Sequence, residues 1–423
     1  MKHKAEEFKP FVPSDKIVPE FTVTSILIGI LLAIVFGAAN AYLGLRVGMT
    51  VSASIPAAVI SMGIIRVILR RDSILENNMV QTIGSAGESV AAGAIFTLPA
   101  LFLWANEWGT ETPSLLTIFL IALVGGFLGV LFMVPLRKAL IVEEHGTLPY
   151  PEGTACAEVL LAGEEGGAKA STVFAGLGMA AVYKFVADGL GVFPSSVQYE
   201  FKGYRGAAVG IDVLPALVGV GYICGPKISS YMLSGGIISW LVLMPLIHLF
   251  GADQIVFPGT EPISSMSADE LWSTYIKYIG AGAVAAGGII SLVKTFPLII
   301  KTFANAMGNL KGNRAEKVQE LRTGRDLPMP LILTAILIIV LAIWLLPVFP
   351  VNPIGALFIV LFGFFFSTVS ARLVGMIGSS NNPVSGMAIA TLLLASMLLK
   401  VTGTDGRAGM TGAIAIGSII CIV

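Results

Sequence analysis

Asn77, Gln81, Gly84 and Glu88 follow one another at intervals of four, three and four residues, a spacing that puts two amides, a gap and a carboxylate on one helical face. Ser85 and Ser89 lie beside that face, while Phe96, Leu98, Leu101 and Phe102 follow in a strongly apolar half. A carboxylate inside an apolar span is costly, and by default it faces a bundle interior or an aqueous cavity. Such a stripe is suited to carrying a proton on Glu88 or to holding a polar solute. The competing reading leaves Glu88 at an interfacial end of its span, snorkelling or bonded to a neighbouring helix.

A second concentration runs from Glu143-Glu144-His145 through Pro149-Tyr150-Pro151-Glu152-Gly153-Thr154-Ala155-Cys156-Ala157-Glu158. Pro149 and Pro151 forbid a continuous helix before Pro151, yet Pro151 followed by Glu152 suits a fresh helix start. Glu152 and Glu158 are six positions apart and do not share a face. Broken backbone at membrane depth survives only where protein buries it or where it lines a cavity. The segment reads either as a cytoplasmic gate or re-entrant loop, or as an ordinary structured cytoplasmic loop.

A third concentration is duplicated. Gly48-Met49 is followed by Ser52 and Pro56, and Gly375-Met376 by Ser379 and Pro383, at identical offsets. Around the first copy stand Asn40, Tyr42, Arg46, Thr50 and Ser54; around the second, Ser380, Asn381, Asn382 and Ser385. Side-chain amides and hydroxyls beside freed backbone groups can hold a peptide backbone or a carboxylate, with each following helix offering its positive end. A tight polar hairpin at the membrane surface is the alternative. Corresponding polar, proline-broken segments in two halves are the sequence pointer to a transport path, which favours the first reading.

The elements that must position these residues follow from composition. Hydrophobic residues make up 55% of the 423, charged residues 12%, and mean hydropathy is +0.87; a soluble protein carries roughly 25% charged residues. The chain is therefore expected to be an all-α, polytopic transmembrane helical bundle. Apolar runs of near-spanning length fall at 22 to 45, 50 to 69, 83 to 104, 114 to 136, 171 to 190, 207 to 225, 232 to 250, 272 to 298, 330 to 348, 353 to 373 and 384 to 400. A last run begins near 408. These give about 12 spans, arranged by the duplication as two related repeats with the second incomplete.

With a cytoplasmic N-terminus, most of the 26 basic residues fall inside, as the positive-inside rule requires. They include Arg70-Arg71, Arg137-Lys138, Lys227, the loop from Lys301 to Arg325, and Arg372. The polar N-terminus lacks the pattern of a cleaved signal peptide. The expected organisation is a cytoplasmic tail at 1–20, a first transmembrane repeat at 21–300, a cytoplasmic linker at 301–329 and the start of a second repeat at 330–423.

Other chemistries find little support. His3, His145 and His248 belong to no His-Glu-x-x-His zinc motif, and neither a Gly-x-Ser-x-Gly element nor a P-loop occurs. Cys156, Cys224 and Cys421 are widely spaced and form no disulfide or metal pattern. No enzyme activity, cofactor or metal site is expected, and a net charge of zero points to no nucleic-acid partner. Gly125, Gly126 and Gly129, and Gly282, Gly287 and Gly288, read as close helix packing. Lys184 and Lys294 read as snorkelling residues, and His248 as interfacial.

The runs Asn40-Ala41-Tyr42-Leu43-Gly44-Leu45-Arg46-Val47-Gly48-Met49-Thr50, Pro149-Tyr150-Pro151-Glu152-Gly153-Thr154-Ala155 and Ser380-Asn381-Asn382-Pro383 resemble the oligopeptide transporter family in its bacterial branch. The resemblance covers nearly the whole chain. It implies a cation-coupled, most often proton-coupled, importer of small peptides in a bacterial inner membrane. In the related yellow-stripe branch of plants the cargo is a metal chelate. The Asn-Pro-Gly and Lys-Ile-Pro-Pro-Arg signatures of the fungal and plant peptide branch do not occur, so metal chelates stay beside peptides as substrate classes. Family members are considerably longer, and the separation of the two copies leads to the same expectation of roughly 200 further residues beyond Val423, assuming equal halves.

The residues expected to bind substrate or ion are Glu88, Gln81, Asn77, Glu152, Glu158, Asn40, Tyr42, Ser52, Ser379, Asn381 and Asn382. Glu88 is the leading proton carrier, with Glu152 and Glu158 behind it. The expected partners are a small peptide or metal chelate, protons and the lipid bilayer. A channel remains the second function class, since pores also use polar, small-residue helices.

Overall fold

The computed structural model describes residues 10–47, 52–71, 73–144, 146–165, 167–194, 196–213, 215–284, 286–287, 290, 324–379 and 382–423. Its helices are α1 (Val23–Val47), α2 (Ser54–Met62), α3 (Ile74–Ile95), α4 (Pro99–Trp108), α5 (Leu115–Arg137), α6 (Pro151–Glu165), α7 (Gly167–Lys184), α8 (Pro215–Ile237), α9 (Met244–Gly251), α10 (Ala268–Leu271), α11 (Met329–Leu345), α12 (Pro353–Ile377), α13 (Val384–Val401) and α14 (Gly406–Ile422). Strands β1 (Ser196–Glu200) and β2 (Ala208–Asp212) pair antiparallel as one hairpin.

The starts of α1 and α3 are tied together. Thr22 and Ser25 bond each other's backbone N–H at 3.1 Å, closing the first turn of α1. The Thr22 hydroxyl also donates to Glu76 Oε1 at 2.6 Å, and Ser73, which caps α3, donates to the Pro19 carbonyl at 2.6 Å. From there the two helices run parallel, with Gly29 against Ile83, Ala33 against Gly87 and Gly44 against Ile95. A Cβ on Gly87 would lie 2.3 Å from the Ala33 carbonyl oxygen, so only glycine lets the backbones approach this far. Between them α2, extended by a π-helical turn at Gly63–Ile68, returns the chain and packs Ala57 and Ile65 on Leu32 and Val80.

The largest cluster joins α5, α11, α12, α13 and α14 through Leu128, Phe132, Ile343, Ile359, Leu399, Ile416 and Ile419. Small residues again set the approach. A Cβ on Gly93 would meet the Cys421 carbonyl oxygen at 2.6 Å, and Gly125 and Gly129 lie against Ile422 and Val423. Gly126 has nothing within 4 Å, so it takes no part in this seam. Buried Ser418 donates to Thr97 at 2.9 Å, pinning α14 to the junction of α3 and α4.

The expectation of about 12 spans in two related repeats is overturned. Among the described residues five helices are long and apolar enough to cross a membrane: Val23–Tyr42, Ile74–Trp108, Leu115–Val142, Gly225–Gly251 and Pro353–Ile377. Four further apolar helices, including Ser54–Arg66 and Gly406–Ile422, are only 10–17 residues long. The run expected as a span at 207 to 225 begins as β2, and α8 breaks at Gly225 (φ 72°) before Pro226. Apolar content alone does not report whether the backbone is continuous. The sequence copies do not lead into equivalent elements either: the first opens α2 with 9 residues, the second opens α13 with 18.

The α1–α3 seam yields a direct test. Gly87→Val should lower the thermal unfolding midpoint in detergent by an amount equivalent to roughly 1–3 kcal/mol, the range for an overpacked contact. Gly126→Val should leave the midpoint near wild type.

Candidate functional site

Two backbone breaks organise the site. Ahead of α2, which opens at Ser54, Ser52 and Ala53 are non-helical, while α12 stops at Ile377 and α13 opens at Val384. Each break strips peptide groups of helical partners, and in an apolar setting those groups need others. A buried carboxylate from a different helix meets each break. Glu88 Oε2 accepts the N–H of Ala53, the residue that caps α2, at 3.1 Å; negative charge at that end complements the helix dipole. Glu152 Oε2 accepts the N–H of Ser379 at 3.1 Å and also its hydroxyl.

The carboxylates share one neighbourhood. Glu88 and Glu152 are both 7% exposed, the Asn40 side chain hydrogen-bonds Glu88, and the Glu152 charge acts on Glu88 through space. Glu152 stands in the first turn of α6, where Pro151 opens the helix. Tyr150, two residues ahead of it, is clamped on two sides: its N–H donates to the Gly375 carbonyl of α12 at 2.8 Å, and its hydroxyl to the Leu140 carbonyl, in the π-helical turn after α5, at 2.9 Å. Tyr150 has φ 43°, a region bulky residues rarely enter. These two bonds offset the strain.

Glycine is required on the facing side. A Cβ on Gly375 would lie 3.1 Å from the Tyr150 ring, and one on Gly378 would lie 2.9 Å from Glu152 Oε1. Gly378 also has φ 87°. Behind the clamp, Arg372 pairs with Glu144 at 3.0 Å. Burial, then the Glu144 charge, push the Tyr150 phenol above its ordinary pKa, so it stays a donor. Burial and then the Glu152 charge push the Cys156 thiol up to about 12. At neutral pH it is a protonated thiol and therefore a poor nucleophile. Among the described residues no three His, Cys, Asp or Glu side chains are grouped to hold a metal ion.

The structure sorts the expected residues. Asn40, Glu88, Glu152 and Ser379 come together, and Ser52 lies next to Ala53 at the first break. Asn77 is buried but accepts the Ser61 hydroxyl at 3.1 Å, fastening α2 to α3. Gln81 is half-buried and meets Thr82 at 3.4 Å. Tyr42 and Glu158 are exposed. Asn382 turns from the break to Ser370, donating to its hydroxyl at 2.6 Å. Asn381, like Gly48, Met49 and Thr50 of the first copy, lies outside the described residues. Sequence reasoning gave Tyr150, Gly378 and Arg372 no site role. The prolines flanking Tyr150 and the glycine ahead of Ser379 were the available signal.

The profile of the OPT oligopeptide transporter protein family matches residues 20–423. The chain belongs to this family. It is 33% identical over 380 residues to a protein of Haemophilus influenzae described as "Putative oligopeptide transporter", covering 86% of this chain and 58% of that protein. It is 26% identical over 349 residues to the metal-nicotianamine transporter YSL3 of Arabidopsis thaliana, covering 74% of this chain and 50% of that one. The chain thus spans 58% and 50% of the lengths of these relatives. As a family member with five helices long and apolar enough to cross a membrane among the described residues, it is a multi-pass integral membrane protein.

Gly378→Ala combines strain at positive φ, of roughly 1–3 kcal/mol, with a collision at Glu152. Gly403, at φ 80° with nothing within 4 Å, isolates the strain. Thermal unfolding in detergent should show a larger loss for Gly378→Ala than for Gly403→Ala.

Proposed function

We propose that the intact protein is a secondary active transporter that imports small oligopeptides by proton symport, with alternating access to a site between the two helix breaks. Glu88 carries this reading: it is a buried carboxylate within the apolar helix Ile74–Trp108, hydrogen-bonded to the start of α2. A proton arriving at Glu88 removes the charge that complements the α2 dipole and weakens its bond to Ala53. Protonation state and the position of α2 are therefore linked. Glu152 plays the parallel part at the second break through Ser379, and the mutual repulsion of the two carboxylates couples the breaks.

The peptide cargo rests on the family and on the Haemophilus influenzae relative. Metal chelates are the second reading, favoured by the similarity to the plant metal-nicotianamine transporter. Both cargoes present carboxylates and amines, which side-chain amides and hydroxyls at helix breaks are equipped to bind. The N-terminus is assigned to the cytoplasm on the positive-inside distribution of Lys and Arg, and the membrane to a bacterial inner membrane.

Proteoliposome uptake with a panel of dipeptides, tripeptides and ferric or nickel chelates separates these readings. A coupled transporter accumulates its substrate against a gradient, and a protonophore abolishes the accumulation. Purely downhill flux would mean a channel. Glu88→Gln should lower proton-driven uptake at least tenfold, a cost of about 1.4 kcal/mol, while leaving the protein folded. Wild-type pH dependence in that variant would refute the role of Glu88.

A further inference from the structure

Between α12, α13 and α14 lies a partly open cavity of about 60 Å³ whose lining includes neither Glu88 nor Glu152. Ser367 and Ser370 of α12, Asn382 of the unwound segment and Thr391 of α13 line it, and Cys421 and Val423 of α14 close it. Thr391 is fully buried, yet its Oγ1 has no hydrogen-bond partner. Asn382 donates to Ser370 through Nδ2, which leaves its buried Oδ1 without a donor as well. Two buried, orphaned oxygens at one cavity are costly, each by about 1–3 kcal/mol. The space is larger than the 10–15 Å³ or so that one water-sized occupant requires.

The chemistry of the wall selects the occupant. Both orphaned atoms are oxygens, and oxygen donors suit hard cations better than soft ones. Among the described residues neither Asp nor Glu lines the cavity, so a divalent ion would leave two charges uncompensated and a monovalent ion one. The smaller charge is the one that hydroxyl and amide dipoles can offset. Asn382 also lies in the break between two helices, the kind of segment that holds coupling ions in transporters built from discontinuous helices.

We propose that this cavity binds a sodium ion, held by Asn382 Oδ1 and Thr391 Oγ1, with room for water to complete its shell. Bound there, the ion would fasten Asn382 to α13 and so stiffen the second break at its α13 end. The site stands apart from proton coupling at Glu88, and its test is chosen accordingly.

The intact protein in lipid nanodiscs is unfolded thermally while NaCl replaces choline chloride at constant ionic strength, with KCl as a further arm. The expected result is a saturable rise in midpoint with Na⁺, absent with K⁺. Thr391→Val should weaken the apparent Na⁺ affinity roughly tenfold without lowering the midpoint in choline, because it removes an orphaned hydroxyl. Thr391→Ser should restore the Na⁺ response. Equal midpoints in Na⁺ and choline, or an undiminished Na⁺ response in Thr391→Val, would overturn the proposal and leave a cavity holding water only. Proton-driven uptake that persists without Na⁺ alongside either negative result would reject the sodium site and leave the transport reading intact.

Discussion

Peptide groups released from a helix in an apolar environment have to be bonded by something, and in this chain two buried glutamates do it. The α1–α2 break gives its Ala53 N–H to Glu88, and the α12–α13 break gives its Ser379 N–H to Glu152. Neither carboxylate lies near its partner in sequence. The bundle must therefore place α3 against the first break and α6 against the second. The glycine seam between α1 and α3, the Thr22–Glu76 latch and the Tyr150 clamp on Gly375 accomplish this placement.

The same constraint gives the site its capacity for work. A carboxylate that only filled a polar niche could be exchanged for an amide with little consequence. Glu88 instead accepts a backbone N–H at the start of α2, where its charge complements the helix dipole. The breaks also leave glycine at 378 in a conformation suited to the close passage of a neighbouring side chain.

The helical character of the bundle and the three polar concentrations were legible in the sequence because they rest on composition and period. Glu88 was the clearest of them, since an intramembrane carboxylate has few places to go. Its stripe was read less well. Asn77 shares the face of Glu88 but is used to hold α2, because helical period reports direction and not which neighbour occupies it. The span count failed where apolar residues follow an extended or broken backbone, as in β2 and at Gly225. The meeting of Glu152 with Ser379 spans more than two hundred residues, and no local rule predicts it. The Thr391 cavity was invisible for the same reason, since a single hydroxyl in an apolar helix carries no signal of its own.

The central claim is that the start of α6 and the break after α12 are bridged at Glu152 and Ser379. Disulfide trapping in native membranes tests it most directly, using cysteine pairs introduced into a chain with Cys156, Cys224 and Cys421 replaced by serine. The account predicts that Glu152→Cys with Ser379→Cys crosslinks rapidly under mild oxidation, while Glu158→Cys with Ser379→Cys does not. Efficient crosslinking of the second pair, or none in the first, would contradict it.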